Sequence, residues 1–201
     1  MKLVSAARNL ALAAGLALSL SACGINSVPT AEENAKAKWA DVEAQFQRRA
    51  NLIPNLVEVT QGAAENERGI LTEVTEARAR ATSINISADD LGDASKMQEM
   101  AQAQGQLSQG LGRLLASFEA YPTIQSNQNF LALQSQLEGT ENRIAVAIRD
   151  YNEAVRQYNT TIRTFPDIIG ANIIHGADPL APYEAATEGA EVAPDIDMTS
   201  N

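Results

Sequence analysis

The chain has 201 residues, with 25 acidic against 15 basic side chains and a formal net charge of −10. This balance argues against nucleic-acid binding, which depends on clustered Lys and Arg. A single cysteine excludes a disulfide framework within one copy, and a single histidine excludes a di-iron site, which needs a Glu-x-x-His pair on each of two helices.

The N-terminus has the pattern of a bacterial lipoprotein signal. Lys2 and Arg8 precede a short apolar run over residues 10–20, and the sequence LSAC follows, ending at Cys23. In such signals the cysteine takes a lipid and the chain is cut in front of it. An ordinary signal peptide with an incidental cysteine is the alternative. An uncleaved membrane helix is disfavoured, because a span needs about 20 apolar residues.

We therefore divide the N-terminal region into a signal peptide, residues 1–22, and a lipidated tether, residues 23–30. Two or three acyl chains on Cys23 exceed the one-chain limit for marginal membrane binding, so the anchor is expected to be firm. Gly24 stands where inner-membrane retention would call for Asp, which favours the outer membrane if the host has two. Removal of Lys2 and Arg8 with the signal leaves a body of charge −12.

A helical bundle is predicted over residues 31–165. Thr30 with Glu33 forms a capping-box pattern, which predicts a helix start at Ala31. Pro54 falls inside this first helix and predicts a kink or a restart with Asn51 as internal cap, because proline removes one helical hydrogen bond. The apolar positions keep three-four spacing across the proline: Trp39, Val42, Phe46, Ala50, Ile53, Leu56 or Val57, and Thr60.

Three further helices follow, over about 65–81, 93–121 and 127–164, with a loop at 82–92. Their apolar spacing predicts an all-α fold, an elongated antiparallel bundle of about four long helices. The predicted core positions are Ile70 or Leu71, Val74, Ala77, Ala81, Met97, Met100, Gln104, Leu107, Leu111, Leu114, Phe118, Tyr121, Phe130, Leu133, Leu137, Thr140, Ile144, Ile148, Tyr151, Val155, Tyr158, Ile162 and Phe165.

The C-terminal tail, residues 166–201, is acidic and rich in Pro, Gly and Ala, which predicts a mostly irregular segment. Its four isoleucines are candidates for folding back onto the bundle: Ile168, Ile169, Ile173 and Ile174.

No catalytic site, cofactor site or metal site is predicted. The sequence GQLSQGLGR at 105–113 has the glycines of a phosphate loop but lacks its Lys-Ser/Thr ending, so these glycines are expected to allow close helix contact. Acidic pairs such as Asp89 with Asp90 are expected to belong to a solvated face or to a helix start, not to act as general acid and base. An uncharacterised hydrolase is disfavoured because no nucleophile stands with a base.

Four side chains are candidate partner contacts. Arg48 and Arg49 are either a solvated pair or a contact with a charge partner or another protein. Tyr151 and Tyr158 lie seven residues apart on one helix face, each followed by Asn. They are either core tyrosines with a hydroxyl partner or a recognition stripe.

Several ordered segments closely resemble the LemA family of bacterial envelope proteins, over about residues 37–166. They are WADVEAQFQRRANLIPNLVE, VTEARARA, LGRLLASFEAYPTIQSNQNFLALQSQLEGTENRIA and RDYNEAVRQYNTTIRTFP. The resemblance implies a membrane-held antiparallel helical bundle with its body outside the cytoplasm, and no cofactor or catalytic residues. Many members look as if they keep an uncut membrane helix, whereas this chain has the lipoprotein pattern.

We expect a lipid-anchored, non-catalytic module that docks or organises other envelope proteins. The alternative is a binding protein for a small ligand or cell-wall fragment, with a groove between helices near Tyr151 and Tyr158.

Overall fold

The computed structural model describes residues 23–60 and 67–185, which are mainly α-helical and contain no β-strand. The predicted signal peptide and residues 186–201 of the tail lie outside this part. The α-helices are α1 (Cys23–Thr60), α2 (Arg68–Ser83), α3 (Ala94–Phe118), α4 (Pro122–Gln125), α5 (Gln128–Thr161) and α6 (Asp167–Gly170). A 3-10 turn over Ala88–Gly92 precedes α3, and a π-helical turn over Ala171–His175 follows α6.

The all-α prediction is confirmed, but the count of about four long helices is not. The described residues hold six α-helices, from 4 to 38 residues long. One extra helix arises at Pro122, because proline suits the first position of a helix and Tyr121 before it is extended. The other is α6, inside the segment that the sequence predicted to be irregular.

The two longest helices, α1 and α5, pack antiparallel. Val28 near the start of α1 lies in one apolar cluster with Tyr158, late in α5. Further along α1, Trp39 contacts Tyr151, which is an earlier residue of α5, with ring centroids 5.1 Å apart. The two helices therefore run in opposite directions. At 1.5 Å per residue α1 is about 57 Å long.

Helices α2 and α3 form a second antiparallel pair. Arg113 of α3 forms an ion pair with Glu73 of α2. About one turn before Arg113 in α3, Gly110 lets the two backbones approach, since a Cβ added there would lie 3.3 Å from Val74 Cγ2. Gly110 thus has the close-contact role predicted for the glycines, whereas a Cβ added at Gly112 would meet nothing within 4 Å.

The predicted helix start at Ala31 is wrong, because α1 begins at Cys23 and includes the whole predicted tether. The Thr30 hydroxyl donates to the Asn26 carbonyl, four residues back within the helix, and does not cap a helix end. A Ser or Thr side chain can make this bond inside a helix as readily as at its start.

Helix α1 runs through Pro54 without interruption, so the predicted restart is wrong. Asn51 accepts a hydrogen bond from Gln47 and caps no helix. Proline leaves the carbonyl of Ala50 without its helical donor, and Arg78 of α2 supplies the missing bond, with Nε 2.7 Å from that oxygen. Pro54 thus frees a backbone oxygen of α1 that accepts a hydrogen bond from the neighbouring helix α2.

The predicted core positions are largely confirmed. Most are buried in the three apolar clusters of the bundle, and Asp93 and Asn127 cap α3 and α5 through their side-chain oxygens. Phe165 is the clear exception, since it is 70% exposed. It follows the end of α5 at Thr161, where the helical spacing used to place it no longer applies.

The tail folds back, but three of the four isoleucines take no part in it, and Ile168 is only partly buried. Ile169, Ile173 and Ile174 are exposed. Instead residues 176–185, which have no regular secondary structure, pack on the bundle and bury Ala181 and Tyr183. We call residues 176–185 the C-terminal strap.

Candidate functional site

The candidate site is built around Arg49, a cation inside the bundle. Its side chain is 1% exposed, because its position continues the four-three-four spacing of Val42, Phe46 and Ile53 and therefore faces the partner helices. Its guanidinium carbon lies 5.6 Å from the centroid of the Phe46 ring. The solvated-pair interpretation is therefore wrong for Arg49.

The Arg49 guanidinium joins α1 to α3 and α5. Nη1 donates to Ser108 Oγ at 2.6 Å and to Glu141 Oε1 at 2.7 Å. Nη2 donates to the side-chain oxygen of Gln104. The remaining donor, Nε, has no partner among the described residues. Among the residues that the structure describes, only Glu141 compensates this charge, and its side chain is 43% exposed.

A groove of about 580 Å³ opens over this cluster, within the range of ligand pockets in proteins. Arg49, Gln104 and Glu141 line its polar part, and Ile144 and Ile148 line an apolar wall. The strap residues Tyr183 and Ala185 also line it. The groove therefore combines an apolar surface with a charged, hydrogen-bonding end.

Tyr151 and Tyr158 bind the C-terminal strap. Both side chains are buried; the Tyr151 hydroxyl donates to the Ala181 carbonyl at 2.9 Å, and that of Tyr158 donates to the Asp178 carbonyl at 3.0 Å. The interpretation as core tyrosines with hydroxyl partners is confirmed. These two residues do not form a recognition stripe for another molecule, because the chain's own strap covers them.

The asparagine after each tyrosine both donates a hydrogen bond to the strap backbone and accepts one from it. Asn159 Nδ2 donates to the Leu180 carbonyl at 2.8 Å, and Asn159 Oδ1 accepts from the Leu180 amide at 2.9 Å. Asn152 does the same with Tyr183, at 2.9 and 2.8 Å. Seven helical residues rise about 10.5 Å, and three extended residues span about 10 Å, so the heptad repeat matches the strap's register.

Burial raises the pKa of the strap tyrosine and its neighbours. The pKa of Tyr183 rises to about 12 and those of Tyr151 and Tyr158 also rise, in each case chiefly because burial disfavours the phenolate. All three phenols are therefore neutral hydrogen-bond donors or ring contacts at ordinary pH. Tyr183 packs between Trp39 and Phe46, with centroids 6.3 and 5.9 Å away.

The structure separates the other predicted site residues from this cluster. Arg48 is exposed and forms no ion pair within residues 23–60 and 67–185. Cys23 is the first residue of α1, more than six helical turns before Arg49. In the same described ranges no group of three or more His, Cys, Asp or Glu side chains is placed to hold a metal ion.

The sequence does not indicate the partners of Arg49 or the role of the strap. Its apolar spacing predicts Gln104 as a core position but gives no partner for it, and no pattern points to Ser108 or Glu141. One signal was available, namely the heptad position of Arg49, which requires a polar partner for a buried cation. Nothing in the composition of residues 176–185 indicated that Tyr183 would be buried.

A family model described as "LemA family" matches residues 38–198. This range contains α1 from its fifth turn onward, the whole Arg49 cluster and the strap. It therefore covers every part of the site described above except Cys23.

Magnetosome proteins are among the similar curated proteins. Magnetosome protein MamQ 2 of Paramagnetospirillum magneticum is 32% identical over 157 residues, which cover 70% of this chain and 58% of that protein. Magnetosome protein MamQ of Magnetospirillum gryphiswaldense is 30% identical with the same coverage. Protein LemA of Metamycoplasma hominis is 23% identical over 62% of this chain and 52% of its own length. The chain thus spans little more than half the length of these relatives.

None of the helices within residues 23–60 and 67–185 is long and apolar enough to cross a membrane.

Proposed function

The chain belongs to the LemA family, and from that premise we propose that it is a non-catalytic helical module of the cell envelope. In this proposal Cys23 carries the lipid anchor, the body lies outside the cytoplasm, and an exposed face docks another envelope protein.

The helical structure of residues 23–30 carries this proposal. The residue that the LSAC pattern marks for acylation belongs to the 38-residue helix Cys23–Thr60, with no loop between it and the bundle. An anchor at that residue would attach directly to the bundle, without a flexible tether between lipid and body. A helix of about 57 Å is long enough to carry its middle and far parts away from the membrane surface. The similarity to magnetosome proteins supports membrane association.

Arg48 is the proposed contact with a protein partner. It is exposed, it has no ion pair within the described ranges, and it carries a positive charge on a chain of net charge −10. A solvated cation is available to an acidic partner, whereas Arg49 beside it is already bonded inside the bundle. Partner discrimination by such a charge would act mainly through the rate of association.

The test is crosslinking in cells with a photoreactive residue in place of Ala44, an exposed position one helical turn before Arg48, followed by capture and mass spectrometry. Replacement of Gln98, exposed on α3, is the matched control. The proposal predicts that position 44 captures one stoichiometric envelope protein, that position 98 does not, and that the capture is lost when Arg48→Glu is added. Capture of no protein from position 44, or capture that Arg48→Glu leaves unchanged, would show that docking through Arg48 is wrong.

The groove over Arg49 favours a second candidate function, the binding of a small amphipathic ligand or cell-wall fragment. Its volume of about 580 Å³ and its pairing of Ile144 and Ile148 with a polar end carry this candidate. The groove lies at Arg49 and not over the Tyr151 and Tyr158 side chains, because the strap covers those.

A melting screen distinguishes the two functions. A ligand that binds only the folded state raises the melting temperature by mass action. The shift should disappear in Ala145→Trp, which places a large side chain in the groove, and persist in Ala116→Trp, an exposed position outside it. No shift with any lipid or wall fragment would remove this candidate.

A further inference from the structure

Four large apolar side chains are exposed close together in sequence, after the end of α5. Phe165 is 70% exposed, Ile169 45%, Ile173 79% and Ile174 57%. They account for four of the six exposed large hydrophobic residues within the described ranges. We call Phe165, Ile169, Ile173 and Ile174 the apolar apron.

The apron belongs to the end of the bundle where α1 begins. Asp167 accepts a hydrogen bond from the Ser27 hydroxyl at 2.5 Å, and Ala171 is buried in a cluster with Val28. Ser27 lies four residues after Cys23, a helical rise of about 6 Å. The segment that carries the apron is therefore fastened to the first turns of α1, beside the residue marked for the lipid.

The charge around the apron is balanced, unlike that of the whole chain. Between Arg156 and Asp178 the formal charges are Arg163 and Asp167 alone, which cancel, whereas the chain carries −10. Asp167 is also half-buried and bonded to Ser27. Anionic headgroups would repel most of this protein's surface, but they would not repel this part.

We propose that the apolar apron inserts into the lipid surface next to the anchor; this inference rests on the proposed attachment through Cys23. An acylated Cys23 would hold this end of the bundle at the membrane, where exposed Ile and Phe side chains gain by leaving water. Interfacial helices bury their apolar faces by about 5–10 Å in this way. The apron would fix the tilt of the bundle, which a lipid on Cys23 alone would leave free.

The test places a fluorescent probe at the apron and at a distant control position. Ile173→Cys and Leu131→Cys are made in the full-length lipoprotein, in which acylation occupies Cys23 and leaves each new thiol as the only free one. Leu131 is 49% exposed and lies near the other end of α5, about 46 Å of helical rise from Ile162. Each labelled protein is reconstituted in phosphatidylcholine vesicles that contain nitroxide-labelled lipid.

Insertion predicts that the nitroxide quenches the probe at 173 several-fold more than the probe at 131, with a blue-shifted emission at 173 only. Intact mass must show that the protein is acylated, and flotation must show that it is bound to the vesicles. Equal, weak quenching at both positions in such protein overturns the inference but not the lipid anchor. That result would assign the apron to a protein partner or a second copy. Unacylated, unbound protein would overturn the anchor and the inference together.

Discussion

Arg49 has almost no solvent contact, yet its charge partner is nearly half exposed. Most of the desolvation free energy of this ion pair therefore comes from burial of the Arg49 cation. Buried charges that lose a partner are destabilising, whereas replacement of a buried ion pair by apolar groups of similar volume is often neutral. The two members of the pair should consequently respond differently to mutation.

We predict that Glu141→Gln costs about 2 kcal/mol of unfolding free energy, below the ~3–5 typical of fully buried pairs, because Glu141 is 43% exposed. Arg49→Met should cost less, because it removes the charge that needs compensation and keeps an apolar stem. Arg48→Met, on the exposed neighbour, should change stability by less than about 0.5 kcal/mol. Urea titrations measure all three, and a larger cost for Arg49→Met than for Glu141→Gln would contradict this explanation.

Asp90 gives a prediction for pH. Lys96 and Ser87 bond its carboxylate and lower its pKa from 3.8 to about 2. Because the folded pKa is below the unfolded one, the contribution to stability is fully present above pH 3.8 and is lost as the pH falls toward 2. The melting temperature of Asp90→Asn should lie below that of the unchanged protein at pH 6, and the gap should narrow as the pH approaches 2. A constant gap would refute the assigned cause.

At the scale of elements, Pro54 and Arg78 form a pair that crosses from α1 to α2. The proline deprives the Ala50 carbonyl of a donor, and the Arg78 Nε supplies one at 2.7 Å. From the sequence, Pro54 predicts only a kink or a restart within its own helix, α1. The partner lies 24 residues further along the chain, on another helix, and no local pattern links the two positions.

A double-mutant cycle tests this pair. Arg78→Met should cost about 1.5–3 kcal/mol, the range for a hydrogen bond to a charged group. In the Pro54→Ala background its cost should fall by about 1 kcal/mol or more, because residue 54 then donates to the Ala50 carbonyl. Arg80→Met is the control on the same helix, exposed to solvent. Additive effects of Pro54→Ala and Arg78→Met would show that the two residues do not act together.

The strap depends on asparagines spaced to match its backbone. Asn152→Ala and Asn159→Ala each remove two hydrogen bonds to the strap, and we expect each to cost about 1–3 kcal/mol. Hydrogen exchange at the Leu180 and Tyr183 amides should quicken, while Asn142→Ala, an exposed site on the same helix, should leave it unchanged. Unaltered exchange in Asn152→Ala would mean that other contacts hold the strap.

For the whole molecule, helical periodicity predicted the all-α class and most of the core, because α3 and α5 are long, capped and strongly amphipathic. It failed where tertiary contacts decide the outcome. Residues 23–30 were predicted to be a tether, but they are helical and pack against the segment after α5. The exposed Ile173 and the buried Tyr183 reverse what hydropathy alone suggests, because the fold places the Tyr183 ring against Trp39 and Phe46.

The LSAC pattern, the beginning of α1 and the apolar apron lie together at one end of the bundle. The most direct measurement is the intact mass and N-terminal residue of the protein extracted from membranes, together with fractionation of Cys23→Ser. We expect the chain to begin at Cys23, to carry two or three acyl chains, and to leave the membrane fraction in the variant unless its signal segment stays uncut. A chain that begins elsewhere, or an unmodified Cys23 in membrane-bound protein, would contradict the account.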